Sequence, residues 1–148
     1  MNHIVFLDPK TGELEKILSG VKSMLIKELN TESTEPHPVH CGDTLYFLRS
    51  DIDDSLRVKA HVVRVYPMTH ALEYDLPSLL KEFQMKLQLT SDQFTFWTNQ
   101  DQVLLVEFKA AQKIDLIRLD KQKITKKSNW IPFEDPQEIA KEEVPYGK

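Results

Sequence analysis

At 148 residues, 41% hydrophobic and 28% charged, the chain fits one ordinary domain with a real core and a soluble surface. Its 19 Lys and Arg against 23 Asp and Glu give −4, which excludes a global pull on nucleic acid and leaves such a partner only a local basic patch. The single cysteine, Cys41, excludes an internal disulfide, and no run approaches the ~18 apolar residues of a membrane span, so a reducing, cytoplasmic location without a membrane partner is expected.

Residues 3–7, His-Ile-Val-Phe-Leu, read as a short buried strand, cut by Asp8 and Pro9 before they could form a secretory signal. Asp8-Pro9 suits a helix start. Leu14, Ile17, Leu18 and Val21 then fall on one helical face, and Gly20 suits the stop. Ser23 to Leu29 is strand-like, and 30–42 is a polar loop with Pro36 and Pro38. Asp43 to Arg49 is the next strand, followed by an acidic turn over 51–55. Leu56 to Tyr66 is the clearest strand: Val58, Ala60 and Val62 alternate with Arg57, Lys59 and His61, and the slip at Val62-Val63 predicts a bulge. Leu76 to Leu87 is a second helix, with Pro77 near its start. Ser91 to Asp101 reads as a loop carrying Phe94, Phe96 and Trp97, Val103 to Phe108 as a central strand, and Ile114 to Leu119 as another. From Lys121 the tail turns proline-bearing and is expected to be loosely packed or extended. Two crossover helices are too few for a doubly wound sheet, which predicts an α+β chain with a small mixed, barrel-like sheet and flanking helices.

The order of short motifs resembles an ASCH domain of the PUA-like superfamily. The family's helix ends in Gly-x-Lys-x-x-Glu-x-Arg, matched here by Gly20 and Lys22, with Leu25 at the place of its Glu and Lys27 at the place of its Arg. A Gly-Asp pair then opens a strand (Gly42-Asp43-Thr44-Leu45-Tyr46-Phe47), an alternating strand follows (Leu56 to Val65), and an apolar strand ends in Glu107-Phe108. The resemblance covers roughly residues 3–119 and implies a PUA-like domain over 1–120, with a C-terminal extension over 121–148 packed on or trailing from it. It further implies a small mixed β-barrel and a cleft beside Gly20 to Lys27 that recognises RNA or a nucleotide-like ligand. A subset of the family hydrolyses N-acylated cytidine with a lysine, a hydroxyl residue and a glutamate. That subset has a threonine at the place of Leu25, and leucine can neither attack nor shuttle a proton. Lys27 keeps the charge of the family's Arg but loses its bidentate fork.

These readings give the candidate residues. Lys22 would supply charge, Ser23 a hydrogen bond and Trp97 a stacking face, with Gly20, Lys27 and Tyr46 bordering the cleft. Arg57 and Lys59 belong to a basic stripe with His61 and Arg64, which suits either a nucleic-acid backbone or the solvent face of a strand. The leading expectation is a non-catalytic binding module for RNA or a nucleotide-like small molecule, without sequence-specific DNA binding. One alternative is an amidohydrolase of an N-acylated cytidine-type nucleoside, in which Lys22 and Ser23 would act with Glu73 or Glu82. Another is a protein-interaction scaffold whose tail from Pro132 makes the contact. His37, His40 and Cys41 carry metal-ligand chemistry within five residues, but structural zinc sites pair two clusters. Neither a metal nor a cofactor is expected.

Overall fold

The computed structural model describes residues 1–28, 39–49, 55–68, 75–100, 102–120 and 130–140. Six strands form one sheet: β1 (Asn2–Leu7), β2 (Met24–Glu28), β3 (Thr44–Arg49), β4 (Ser55–Met68), β5 (Val103–Arg118) and β6 (Trp130–Phe133). Their order across the sheet is β2-β5-β4-β3-β1-β6. The β1–β3 pair is parallel and the other four are antiparallel, so the sheet is mixed.

Alternation along the strands sorts side chains to two faces. Every strand contributes to the inner-face core: Val5, Leu25, Phe47, Val58, Val106 and Trp130 are all buried in one cluster. Each such Val or Leu contributes about 1.5–3 kcal/mol by leaving water. The sheet is curled into a half-barrel, because its two edge strands meet over this core. Leu25 of β2 and Trp130 of β6 share the cluster, and Lys27 Nζ lies 5.7 Å from the centre of the Trp130 ring. Helix α1 (Glu13–Leu18) closes the concave side with Ile17, supported by Leu14 and Leu18.

The outer face carries two separate covers. Helices α2 (Leu76–Glu82), α3 (Gln84–Leu87) and α4 (Ser91–Thr98) lie over β2 and β5, where Leu80 and Leu87 bury Met24 and Leu105. At the other flank Leu119, Phe133 and Ile139 cover Ile4, Leu48 and Leu56, pinned by the Asp120 N–H to Ile139 O bond at 2.8 Å.

Several elements depart from the expectation. The first helix starts later: Asp8 caps a single 3₁₀ turn, Pro9–Thr11, and Gly12 at φ 67° separates it from α1. Val21, placed on the apolar helical face, follows the helix and is exposed. The helix expected over 76–87 is two helices that break at Phe83. The loop expected over 91–101 is helical through Thr98, because Thr90 caps it. The two strands expected over 103–119 are one, which absorbs its irregularity in bulges and in Ala110 at φ 58°. Within the tail, Trp130–Phe133 pairs with β1 and buries both end residues, so that stretch is not loosely packed. The bulge expected at Val62-Val63 is present as a register shift between Val62 and Arg64, and Gly20 takes the left-handed φ of 83° after α1. Most of the loop expected over 30–42 lies outside the described residues.

Candidate functional site

The Gly20–Ser23 turn is clamped between two helices. The Lys22 N–H donates to Lys16 O of α1 at 3.0 Å, and the Ser23 N–H donates to Lys86 O of α3 at 3.0 Å. Lys22 is only 2% exposed. Its ammonium donates to Leu87 O and lies 3.7 Å from Glu13 Oε1. Burial pulls this lysine down from 10.5 to about 8; Glu13 opposes the shift and Lys16 adds to it. Lys22 therefore faces the helical layer and ties it to the sheet.

Lys27 sits differently. It shares the inner phase of β2 with Leu25, emerges at one end of the curl and is half-buried, with Nζ donating to Glu28 O at 3.3 Å. Burial lowers its pKa, with Glu28 opposing. Beside it lies a polar pair that the sequence reading did not single out. His3, fully buried on β1, donates from Nε2 to Asp43 Oδ2 at 2.8 Å. The same oxygen accepts the His40 N–H at 2.9 Å. Burial pushes the His3 pKa down, Asp43 restores part of it, and Lys27 adds to the fall. For Asp43, burial acts upward, but the bonds from His3 and His40 outweigh it and hold the carboxyl below its ordinary value. A neutral His3 protonated on Nε2 satisfies both shifts and leaves Nδ1 as a buried acceptor without a hydrogen-bond partner. The His3 ring lies 6.0 Å from that of Trp130. One end of the half-barrel thus gathers a cation, an aromatic face and a His–Asp pair across the seam between β2 and β6.

The other candidates lie apart from this end. Tyr46, expected to border the cleft, packs on the outer face against Phe133, with ring centres 5.6 Å apart. Trp97 stands on α4 rather than in a loop, half-buried in the helical layer and edge-on to Phe96 at 5.0 Å. Lys59 registers with Tyr46 on the outer face, and Arg57 is exposed at the adjacent register shift. Glu82 is exposed on α2, and Glu73 and His37 lie outside the described residues. Lys22, Ser23 and Glu82 are therefore not brought to one accessible point. Cys41 is exposed, with Sγ donating to Val63 O at 3.2 Å.

His3 was legible in one respect: it alternates in phase with Val5 and Leu7, which marks it as inward. Asp43 was visible only as the partner of Gly42 in a strand-opening pair. Trp130 lay in a segment whose prolines masked its burial, and Glu13 looked like an ordinary solvated helix position.

No protein-family profile matches the sequence, and no curated protein matches it. Among solved structures, the chain is similar to the ASCH protein from Zymomonas mobilis, with a TM-score of 0.67 and 14% identity over 93% of this chain and 90% of that one. A mutant form of that protein gives 0.67 and 13% identity over 92% of this chain and 90% of the other. At such identity the likeness speaks for the fold and not for the chemistry. No described helix is long and apolar enough to cross a membrane. The six-stranded half-barrel with its flanking helices is a small α+β fold like that of the ASCH protein from Zymomonas mobilis.

Proposed function

We propose that this chain is a PUA-like binding module for RNA or a nucleotide-like ligand, and that it binds without catalysing. The observation that carries the reading is Lys27: a half-buried cation held over the Trp130 ring at the open end of the curl. A partly desolvated ammonium is weakly screened, so a phosphate gains more from it than from a surface lysine. Movement of Lys27 off the buried ring would uncover the flat apolar contact that a base requires. Gly20, Lys22 and Ser23 contribute indirectly, by fixing where β2 begins.

The test uses the tryptophans as reporters. In a Trp97→Phe background Trp130 is the only tryptophan left. Titration with nucleoside monophosphates and a short single-stranded RNA at low salt is expected to change its emission as the anion draws Lys27 off the ring. Lys27→Ala is expected to weaken binding roughly tenfold, the loss of one charge-assisted contact, and Lys27→Arg to retain it. No response to any member of the panel refutes the proposal.

One observation favours the hydrolase alternative: a lysine held at about 8 beside a carboxylate is suited to proton transfer. Against it, Lys22 is sealed from solvent and the neighbouring Leu25 is apolar and inward. Mass spectrometry after incubation with N-acylated cytidines decides, and absence of turnover across acyl sizes removes the alternative.

A further inference from the structure

The two covers on the outer face leave a band of sheet between them, along the middle of β4 and β5. Its side chains are mostly cations. On β4, Lys59, His61 and Arg64 face outward, Arg64 after the bulge at Val63 restores the phase. On β5 the register sets Lys109 opposite His61. Both Arg64 and Lys109 are exposed. The acid in this row, Glu107, lies opposite Arg64 and is held by Lys86 of α3 at 2.6 Å. Its charge is therefore met from α3, and the band keeps a positive balance.

This concentration runs against the rest of the molecule. Strands β4 and β5 together hold six Lys or Arg and two acids, Glu107 and Asp115, a formal +4. The whole chain carries −4, which leaves −8 elsewhere. An ordinary solvated sheet face mixes both signs; here the acid in the row, Glu107, is already paired with Lys86. Outward side chains two residues apart on a strand stand ~6.8 Å apart, and neighbouring strands are ~4.8 Å apart. Lys59, His61, Lys109 and Arg64 thus share the outer face across the bulges, and among the described residues no helix packs over Lys59, His61 and Lys109.

We infer that this outer band of β4 and β5 is a contact surface for the phosphate backbone of a single-stranded nucleic acid, distinct from the Lys27 end of the curl. The inference rests on the nucleic-acid reading above and deepens it, since it makes the partner a polymer that reaches beyond one nucleotide. The contact is made to phosphates, which carry no sequence information, so it is independent of sequence.

The test is the salt dependence of binding to a labelled single-stranded homopolymeric RNA of about 15 nucleotides. Each phosphate neutralised contributes about −0.7 to the slope of log K against log salt. The Lys59→Ala, Lys109→Ala double variant is expected to lower the slope by about 1.4 in magnitude. Arg64→Ala is expected to lower it by a further ~0.7. These side chains are half-buried or exposed, and a double Lys→Gln variant serves as the second form if truncation disturbs the sheet. An unchanged slope in both forms overturns the inference. So does equal competition by polyglutamate, which would make the band a site for acidic protein. Mononucleotide binding through Trp130 is expected to be indifferent to these substitutions. Failure of the band therefore leaves Lys27 standing, and loss of the Trp130 response with an intact band slope removes the Lys27 reading alone.

Discussion

The buried ammonium of Lys22 and the buried ring of His3 both make the fold more stable as the pH rises, in two separate windows. Lys22 has a folded pKa of about 8 against an ordinary 10.5. Below pH 8 it is charged in both states, and the folded chain bears the whole cost of burying the charge. Between 8 and 10.5 the unfolded chain holds more protons, so the contribution of Lys22 to stability rises with pH across that window. A fully realised shift of this size is worth about 3 kcal/mol. Urea midpoints of wild type and Lys22→Met, compared from pH 7 to 10, should move in favour of wild type above pH 8, and parallel curves would refute the assignment. For His3 the folded pKa lies below 6.5. Its contribution is complete above the unfolded value and is lost as the pH falls from about 6.5 through the folded one. Protonation would place a second proton on Nδ1, where no acceptor waits. His3→Asn keeps a donor for Asp43 without a titration. Its stability between pH 7.5 and 5 should fall less steeply than that of wild type, measured by the same midpoints; equal slopes would sink the idea.

Among the elements, α4 shows best what a local pattern can and cannot reveal. Its aromatic residues do not follow a clean helical stripe: Phe94 and Trp97 turn inward, while Phe96 between them is 51% exposed. Hydrophobic periodicity therefore suggests a loop. The start signal was nonetheless in the sequence, since Thr90-Ser91-Asp92-Gln93 is a capping box. In the structure Thr90 Oγ1 accepts the Gln93 N–H at 3.2 Å, and Gln93 Oε1 accepts the Thr90 N–H at 2.9 Å. Thr90→Ala is expected to cost about 1 kcal/mol and Thr90→Ser much less, read from thermal unfolding. If both behave as wild type, the box does not hold the helix. In β4, by contrast, alternation was strong enough to reveal the strand, its inward set and its bulge. The long β5 was hidden by the run Lys109-Ala110-Ala111-Gln112-Lys113, where pairing with β4 carries the strand through a stretch without apolar alternation. Local pattern located strands with one buried face, and it failed where tertiary pairing or a cap overrides composition.

At the scale of the whole molecule, the ordered motifs from the first strand to Glu107-Phe108 were enough to indicate the PUA-like fold, because they fix chain order and the approximate lengths between elements. They could not indicate how the sheet closes. Closure brings together Lys27 and Trp130, 103 positions apart in the chain, and no local spacing encodes that meeting. It also bears on the division at residue 120 and on the idea of a tail that can be removed for partner capture. Trp130 belongs to the inner core, Phe133 and Ile139 to the outer one, and β6 covers the edge of β1. A chain ending at Asp120 would lose all three side chains and leave the β1 edge open to pairing with another molecule. Loss of a buried Trp and Phe alone is worth about 3–5 kcal/mol each, comparable to the whole stability of a small domain. A chain ending at Ala140 keeps every one of these contacts. The Asp120 form is therefore expected to be unfolded or aggregated and the Ala140 form to unfold cooperatively near the full-length midpoint, as judged by circular dichroism and size-exclusion chromatography. A folded, monomeric Asp120 form would show that the domain is complete without β6. In that event the seam between β2 and β6 would be an accessory of the fold, and the aromatic face beside Lys27 would be supplied from outside it.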